Sequence, residues 1–511
     1  MTLENLRQKF KIFNYRPLVL VFLALCSGIL VNHFISREKV VTIIGIVIVA
    51  IVLIVYSILH KKFKYIIIFG LCFILGFGSF QIFMNTHMHN ANDHTNYYAQ
   101  GVVTSITNRG SYLELLVEDV EIDGKDLEYN IILDYYNIYQ NGYHKIDHGT
   151  KIKFKISKQW EPSYYYEGIP HTSNLANNVG MGASTYELEV VGTKNTARYT
   201  ILDKVRNNLR NGLNNLNGEM IYSAMFGDKT ELNHDLYDAY KSSGVAHLLA
   251  VSGLHVGLVV AILNWLMKKC KVKGWWRVGI IAPLLFGYAY LCGFSYSIIR
   301  ASIMALVLMI APLLFSEYDT LSSICFAGAL ILLIEPIALF SLPAQLSFGC
   351  VFGIVMLYPI FKRWLNKICI NNAVTDSFCI SLATIVSTAI IMAYYFNKLQ
   401  PIGLISNIVI IPIFGVLFTI SFVVAMLSLI LPFVSFALIL VNPLFEWLNW
   451  AIIFIANHAK ALALPSVNYL TIILFFVLLA FASKFNLKKG LNKLTLVGIC
   501  SCVLALQMAL I

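Results

Sequence analysis

The chain has 511 residues, 58% of them hydrophobic and 13% charged, with a net charge of +11. That balance excludes an ordinary soluble domain of this length and a disordered chain alike. It points to a polytopic α-helical membrane protein.

In chain order, Pro17 to Ile35, Val40 to Leu59 and Tyr65 to Met84 are apolar runs with hardly a charge, each about the 20 residues a bilayer-crossing helix needs. The first is too long for a signal h-region, no small-residue cleavage site follows it and a second span starts almost at once, so it reads as uncleaved. Residues 98 to 192 change character. Alternation at Gly101 to Ile106, Tyr112 to Val120, Tyr129 to Tyr135, Lys151 to Ile156 and Tyr186 to Val191 predicts five short strands, suiting a small β-barrel or sandwich with an OB-like barrel as one candidate. Trp160 to Ala183, rich in Tyr, Gly, Pro and Asn, reads as a long loop with a short helix. Its Trp160, Tyr164, Tyr165 and Tyr166 are candidates for stacking single-stranded bases. Residues 85 to 200, however, hold nine basic and fourteen acidic side chains, which favours a structural or partner-docking role for this domain.

Residues 201 to 244 are polar, with Leu202, Val205, Leu209 and Leu213 at helical spacing, and predict an amphipathic helical segment on the membrane surface. Further spans follow at roughly 245–267, 278–293, 297–315, 321–340, 343–361, 375–395, 403–430, 433–458, 468–483 and 491–511. The expected organisation is therefore three N-terminal transmembrane helices (1–84), an extracytoplasmic OB-like domain (85–200), the surface segment (201–244) and a channel-like transmembrane domain (245–511), with about 13 spans in all.

Orientation follows from Lys and Arg, which stay on the cytoplasmic side of span ends. Five clusters, at residues 7–16, 61–64, 268–277, 362–367 and 484–493, together carry +18 against +11 for the whole chain. With the N-terminus cytoplasmic, all five fall inside, and the β domain and the C-terminus fall on the extracytoplasmic side. The basic balance is thus a topology signal rather than a nucleic-acid footprint. Of ten cysteines, eight sit in apolar spans and two in basic loops, so neither a disulfide framework nor a metal knuckle is expected.

Polar side chains interrupt the later spans at four places. His247, Ser252 and His255 lie in Ala246 to Val259 with Gly244, Gly253 and Gly257 among them. Ser297 and Arg300 stand in Gly293 to Ser302, Gln345 and Ser347 in Pro343 to Ile354, and Asn407 precedes Pro412. Ionisable groups in hydrocarbon are costly and face a bundle interior or an aqueous path. The alternative at each site is plain helix packing, with Arg300 snorkelling or paired to Glu335 or Glu446. If Arg300 faces a hydrated route it can hold a phosphate bidentately. Ser252 with His255 or His247 also has the composition of a nucleophile and base. The run Met225 to Leu232 lacks the GxxxxGK[ST] spacing of a phosphate loop, so no nucleotide motor is evident. His87 to His94 is two residues too long for an HxHxDH metal cluster. No metal or cofactor is expected.

These motifs, in order, resemble the ComEC-type DNA uptake channels of bacterial natural competence: GD(K/R)(T/S)xL at Gly227 to Leu232, GxxHLLAVSGLHVGL from Gly244 to Leu258, GxSxSxxRA from Gly293 to Ala301, QLSFxxxxGI from Gln345 to Ile354, and N-x4-P at Asn407 and Pro412. The region 98–192 resembles the family's outer OB-type domain, including the stretch Gly180 to Ser184. One departure is Tyr296 where the family commonly has Pro. Many members also continue into a metallo-β-lactamase-like domain proposed to degrade the non-transported strand, whereas this sequence runs to Ile511, so no nuclease activity is carried over. The resemblance implies a non-enzymatic inner-membrane channel for single-stranded transforming DNA, lined by His247, Ser252, His255, Ser297, Arg300, Gln345, Ser347 and Asn407. Its implied partners are a surface DNA receptor, a cytoplasmic ATPase or helicase and a separate nuclease. The alternatives are an intramembrane serine hydrolase using Ser252 and a small-solute transporter, the latter weakened by the lack of inverted repeats.

Overall fold

Alternating apolar and polar side chains along segments such as Leu113–Ile122 bury every second residue to Val117 and again from Val120, the condition for a half-buried strand. The resulting sheet belongs to one of two units in a computed structural model of the chain, formed by residues 23–205 with 330–341 and by residues 1–22, 206–329 and 342–511. The structure describes residues 16–35, 63–89, 94–108, 111–136, 146, 148–163, 165–166, 169–193, 197–365, 373–468, 471–472, 474–476 and 479.

In the first unit, helices α1 (Pro17–Ile35) and α2 (Phe63–His87) precede the sheet. Their backbones meet at glycines: a Cβ on Gly28 would lie 2.2 Å from the Phe73 carbonyl oxygen, and one on Gly76 2.5 Å from that of Leu25. Small residues of this kind let apolar helices approach where no hydrophobic drive separates helix from lipid. The strands are β1 (Tyr98–Asn108), β2 (Leu113–Ile122), β3 (Lys125–Asp126), β4 (Asn130–Tyr135), β5 (Thr150–Lys155), β6 (Lys158–Trp160), β7 (Tyr165–Tyr166), β8 (Ile169–Pro170), β9 (Val179–Thr185) and β10 (Leu188–Thr193), with the short helix α3 (Thr172–Ala176) before β9. The main sheet runs β10-β5-β1-β2-β4-β9-β6. β4 and β9 are parallel, and the other pairs on this path are antiparallel. β5 and β6 are consecutive in the chain yet pair with β1 and β9 respectively, so the ladder returns to its start around a core that includes Val103, Leu115, Ile131, Ile152, Phe154 and Met181.

Four of the five expected strands correspond to β1, β2, β4 and β5, and the fifth overlaps β10. The sequence reading missed β9, which falls in the stretch expected to be loop. Gly180 and Gly182 conceal it, and both are required by their neighbours. A Cβ on Gly180 would lie 2.2 Å from the Tyr129 ring, and one on Gly182 2.1 Å from Trp160 Nε1. Gly182→Val is therefore expected to expel the indole and destabilise this sheet by about 1–3 kcal/mol, as overpacking does. Hydrogen exchange of the full chain should quicken across β6 and β9, and unchanged protection there would refute the assignment.

The second unit holds α4 (Ala197–Gly212, from Arg206), α5 (Asn215–Phe226), α6 (His234–Ser242), α7 (Gly253–Lys269), α8 (Gly274–Leu291), α9 (Tyr296–Ile310), α10 (Thr320–Ile334), α11 (Leu342–Leu365), α12 (Ala373–Phe396), α13 (Gly403–Ser428) and α14 (Asn442–His458). Strand β11 (Lys398–Leu399) pairs with β12 (Leu462–Ala463). Among the described residues of the whole chain, five helical segments are long and apolar enough to cross a membrane: Ile67–His87, Tyr296–Leu314, Leu342–Leu365, Ala373–Phe396 and Gly403–Ser428. A sixth forms if Pro432–Leu440 and Asn442–His458, bent by 50°, count as one. This marks a membrane protein, with fewer qualifying spans than the thirteen expected. The spans expected at 40–59 and 491–511 lie outside the described residues.

The segment 201–244, expected on the membrane surface, packs against both ends of α13. Asn208 Nδ2 donates to Ser428 Oγ at 2.9 Å at one end of α13, while Gly244 meets Gly403 at the other. α5 is buried from Asn217 to Phe226, as befits a helix apolar on most of its circumference. Its polar groups are partnered: Asn217 Nδ2 donates to Asn442 Oδ1 at 2.9 Å, Asn449 Nδ2 to Asn217 Oδ1 at 2.8 Å and Tyr240 Oη to Asn449 Oδ1 at 2.9 Å.

An ion-pair network ties α4 to α5 and to the loop after it. Arg206 reaches Asp228 at 2.7 Å, Glu231 at 3.4 Å and Glu219 at 3.5 Å, with its guanidinium 4.2 Å from the centre of the Tyr222 ring. Arg210 pairs with Glu219 at 2.7 Å and also with Glu231. Asp228 further accepts from the Thr230 N–H and hydroxyl at 2.9 and 2.6 Å. The Gly227 to Leu232 motif is thus a structural loop.

Candidate functional site

Gly244, at φ +80°, turns the chain so tightly against α13 that a Cβ there would lie 2.7 Å from Gly403 Cα. A 3₁₀ turn (Ala246–Leu249) follows, then extended backbone at Ala250 and Ser252, and α7 starts at Gly253. The span expected at 245–267, whose glycines permit a break, is therefore broken before Gly253. Ser223 Oγ donates to the Leu249 carbonyl at 3.1 Å and satisfies part of the break. The His255 ring, fully buried, stacks on Phe418 with centroids 4.1 Å apart and lies 6.1 Å from Phe414. Phe414 and Phe418 stand eleven and fifteen residues beyond Gly403, about 16–23 Å along α13 at ~1.5 Å per residue. α7 thus begins near the middle of a helix long enough to span a bilayer.

The first turn of α7 meets α9. Arg300 is 6% exposed, and its Nη2 lies 3.1 Å from where a Cβ would stand on Gly253. Its guanidinium carbon is 5.8 Å from the centre of the Phe348 ring. Nε and Nη1 of Arg300 have no hydrogen-bond partner among the described residues. Glu446, one carboxylate considered for it, instead accepts from Asn214 and Asn442 at 2.9 Å each. One turn before Arg300, Ser297 Oγ donates to Ser347 Oγ on α11 at 3.1 Å. Ser252, His255, Ser297, Arg300 and Ser347 are thereby connected through the N-terminal turns of three helices. Those turns present unpaired N–H groups and the positive end of the helix dipole.

Of the remaining predicted residues, His247 lies within electrostatic reach of His255. Gln345 hydrogen-bonds Tyr395. Asn407 is half-buried on α13, its Oδ1 without a partner among the described residues. His247 is exposed, in the 3₁₀ turn before α7. In the first unit, Trp160 packs on Gly182 and Tyr165 and Tyr166 form β7, while Tyr164 lies outside the described residues. Sequence reading missed a row of tyrosines there, Tyr112, Tyr136 and Tyr186, with successive centroids 5.1 and 5.6 Å apart. They flank strand ends far apart in the chain, so only the β2–β4–β9 register brings them together.

The chemistry available to this cluster is limited. His255 Nδ1 accepts from the Ser252 backbone N–H at 3.3 Å, which places the ring proton on Nε2. The Ser252 hydroxyl faces the His255 N–H in a capping box. A serine nucleophile needs its hydroxyl proton directed at a base, and this geometry directs a backbone N–H there instead. Among the described residues no group of three His, Cys, Asp or Glu side chains is placed to hold a metal ion. What the arrangement offers is hydrogen-bond donors and one buried cation on an otherwise apolar wall.

A sequence model of the family described as Competence protein matches residues 224–488, which contain all of these second-unit residues. The chain is 26% identical over 195 residues to ComE operon protein 3 of Bacillus subtilis, covering 38% of this chain and 24% of the relative. It is 24% identical over 241 residues to Recombination protein 2 of Haemophilus influenzae (45% and 29%) and 28% identical over 225 residues to Competence protein ComA of Neisseria gonorrhoeae (40% and 30%). The matches thus span less than a third of the length of these three relatives. No solved structure matches the chain.

Proposed function

Because the chain belongs to the competence protein family, of ComEC type, we propose that it forms the inner-membrane conduit through which one strand of transforming DNA enters the cytoplasm. The observation that carries this reading is the meeting of polar N-terminal turns from α7, α9 and α11 beside the middle of α13. A polyanion needs a shielded, hydrated route through hydrocarbon, and buried polar groups at span depth are the expected lining of one. His247, Ser252, His255, Ser297, Arg300 and Ser347 line it, with Asn407 further along α13. The sheet of the first unit supports an outer OB-type domain, since its return ladder and its parallel β4–β9 pair follow the strand order of that barrel. The pull on DNA comes from a cytoplasmic ATPase or helicase, and a surface receptor delivers the duplex. In a deletion strain, nuclease-resistant internalised DNA should vanish while surface-bound DNA remains. Internalisation that persists while only surface binding changes would end this reading.

Ser252→Ala separates the conduit from a hydrolase. Loss of a catalytic nucleophile costs roughly 10⁴–10⁶ in rate, whereas loss of one hydroxyl from a passage wall should lower internalisation by no more than about tenfold. A drop of the catalytic size would favour the hydrolase.

A further inference from the structure

We propose that the first turn of α7 and Arg300 together form a binding site for a single phosphodiester oxyanion, part-way across the membrane. The inference rests on the conduit reading and names what the conduit's narrowest chemistry recognises. Three independent observations converge. α7 is 17 residues long, and its first turn opens on Gly253, with Ser252 at the N-cap facing the His255 N–H in a capping box. Arg300 is nine-tenths buried, its Nη2 abuts Gly253, and its Nε and Nη1 find no acceptor among the described residues. His255 Nε2, fully buried, likewise has no partner there. Every one of these groups is a donor or can act as one, and none of the ion pairs among the described residues brings a carboxylate to Arg300.

A buried guanidinium is expensive unless an anion accompanies it. Its fork, together with the N–H groups of a helix start, matches phosphate oxygens. Gly253 matters because a Cβ at its position would stand 3.1 Å from Nη2, occupying the space between helix and guanidinium. A helix broken at mid-depth with its N-terminus turned to an anionic group is a known membrane solution for the same problem. The site would hold backbone phosphates without reading bases.

The test uses the full chain in maltoside micelles, which contain no phosphate, with a fluorescent abasic phosphodiester oligomer as probe. The native protein should bind the oligomer and should not bind its uncharged methylphosphonate counterpart. Arg300→Gln should weaken binding by about tenfold or more, the scale of one charge-assisted contact, while Arg300→Lys should retain part of it. Gly253→Ala should weaken binding with Arg300 intact, which covers the case of a poorly folded Arg300→Gln protein. Binding by Arg300→Gln within twofold of native overturns the site, as does displacement of the oligomer by added phosphatidylglycerol, which would assign it to lipid. Internalisation of DNA by the same variants is scored separately. Lost binding with undiminished internalisation would keep the site and refute the conduit, and undiminished binding with lost internalisation would do the reverse.

Discussion

Arg206→Ala should destabilise the second unit by about 3 kcal/mol, the lower end of the cost of breaking a buried ion pair, because Asp228 loses its cation while Arg210 still reaches Glu219. Arg206 and Glu219 have side chains only 6% and 8% exposed, and Asp228 is 16% exposed. Burial pushes the Glu219 carboxyl above its ordinary pKa, against the pull of Arg206 and Arg210. Removing Arg206 removes part of that pull, so the folded-state pKa rises further. A raised carboxylate contributes stability at low pH that is lost as pH rises through the folded value. The damage in Arg206→Ala should therefore be greatest at neutral pH and shrink as pH falls toward 4.5, the ordinary glutamate value. Thermal unfolding of the purified protein across that range checks it, and a pH-independent loss would contradict it. Glu231→Ala, at a residue 38% exposed, should cost less than about 1 kcal/mol.

The sequence made the class of protein legible and marked the polar side chains inside its apolar runs, because both rest on local signals. Apolar runs, alternating strands and polar side chains inside apolar runs are visible in windows of a few turns. Long-range pairing left no such signal. β9 looked like loop because between its buried Val179 and Thr185 stand Gly, Met, Gly, Ala and Ser, with the two glycines accepting the Tyr129 and Trp160 rings. The break before α7 lies between Gly244 and Gly253, glycines whose place in the sequence permits one. Pairing of Arg300 with Glu446, one alternative the sequence left open, does not occur, because Asn214 and Asn442 hold that carboxylate. The burial of α5 was hidden for a related reason. The amphipathic pattern of α4 was extended to α5, whose apolar residues occupy most of its circumference.

Gly244 carries the other large expected effect, and it can be set against its own contact partner. At φ +80° any side chain is strained, by roughly 1 kcal/mol or more. A Cβ there would also stand 2.7 Å from Gly403 Cα and 3.0 Å from its nitrogen, and backbone atoms of α13 have no flexible end to swing away. The turn must then lift off α13, and with it the start of α7, so that His255 leaves Phe418 and Gly253 leaves Arg300. Across the same contact, a Cβ on Gly403 would lie 3.5 Å from the nearest Gly244 atoms, ordinary van der Waals distance. Gly244→Ala should therefore cost on the order of 3 kcal/mol and abolish internalisation of DNA, whereas Gly403→Ala should pass nearly unnoticed. Equal behaviour of the two variants, in size-exclusion profile and in internalisation, would mean that this contact does not seat the turn, and the depth assigned to α7 would fall with it.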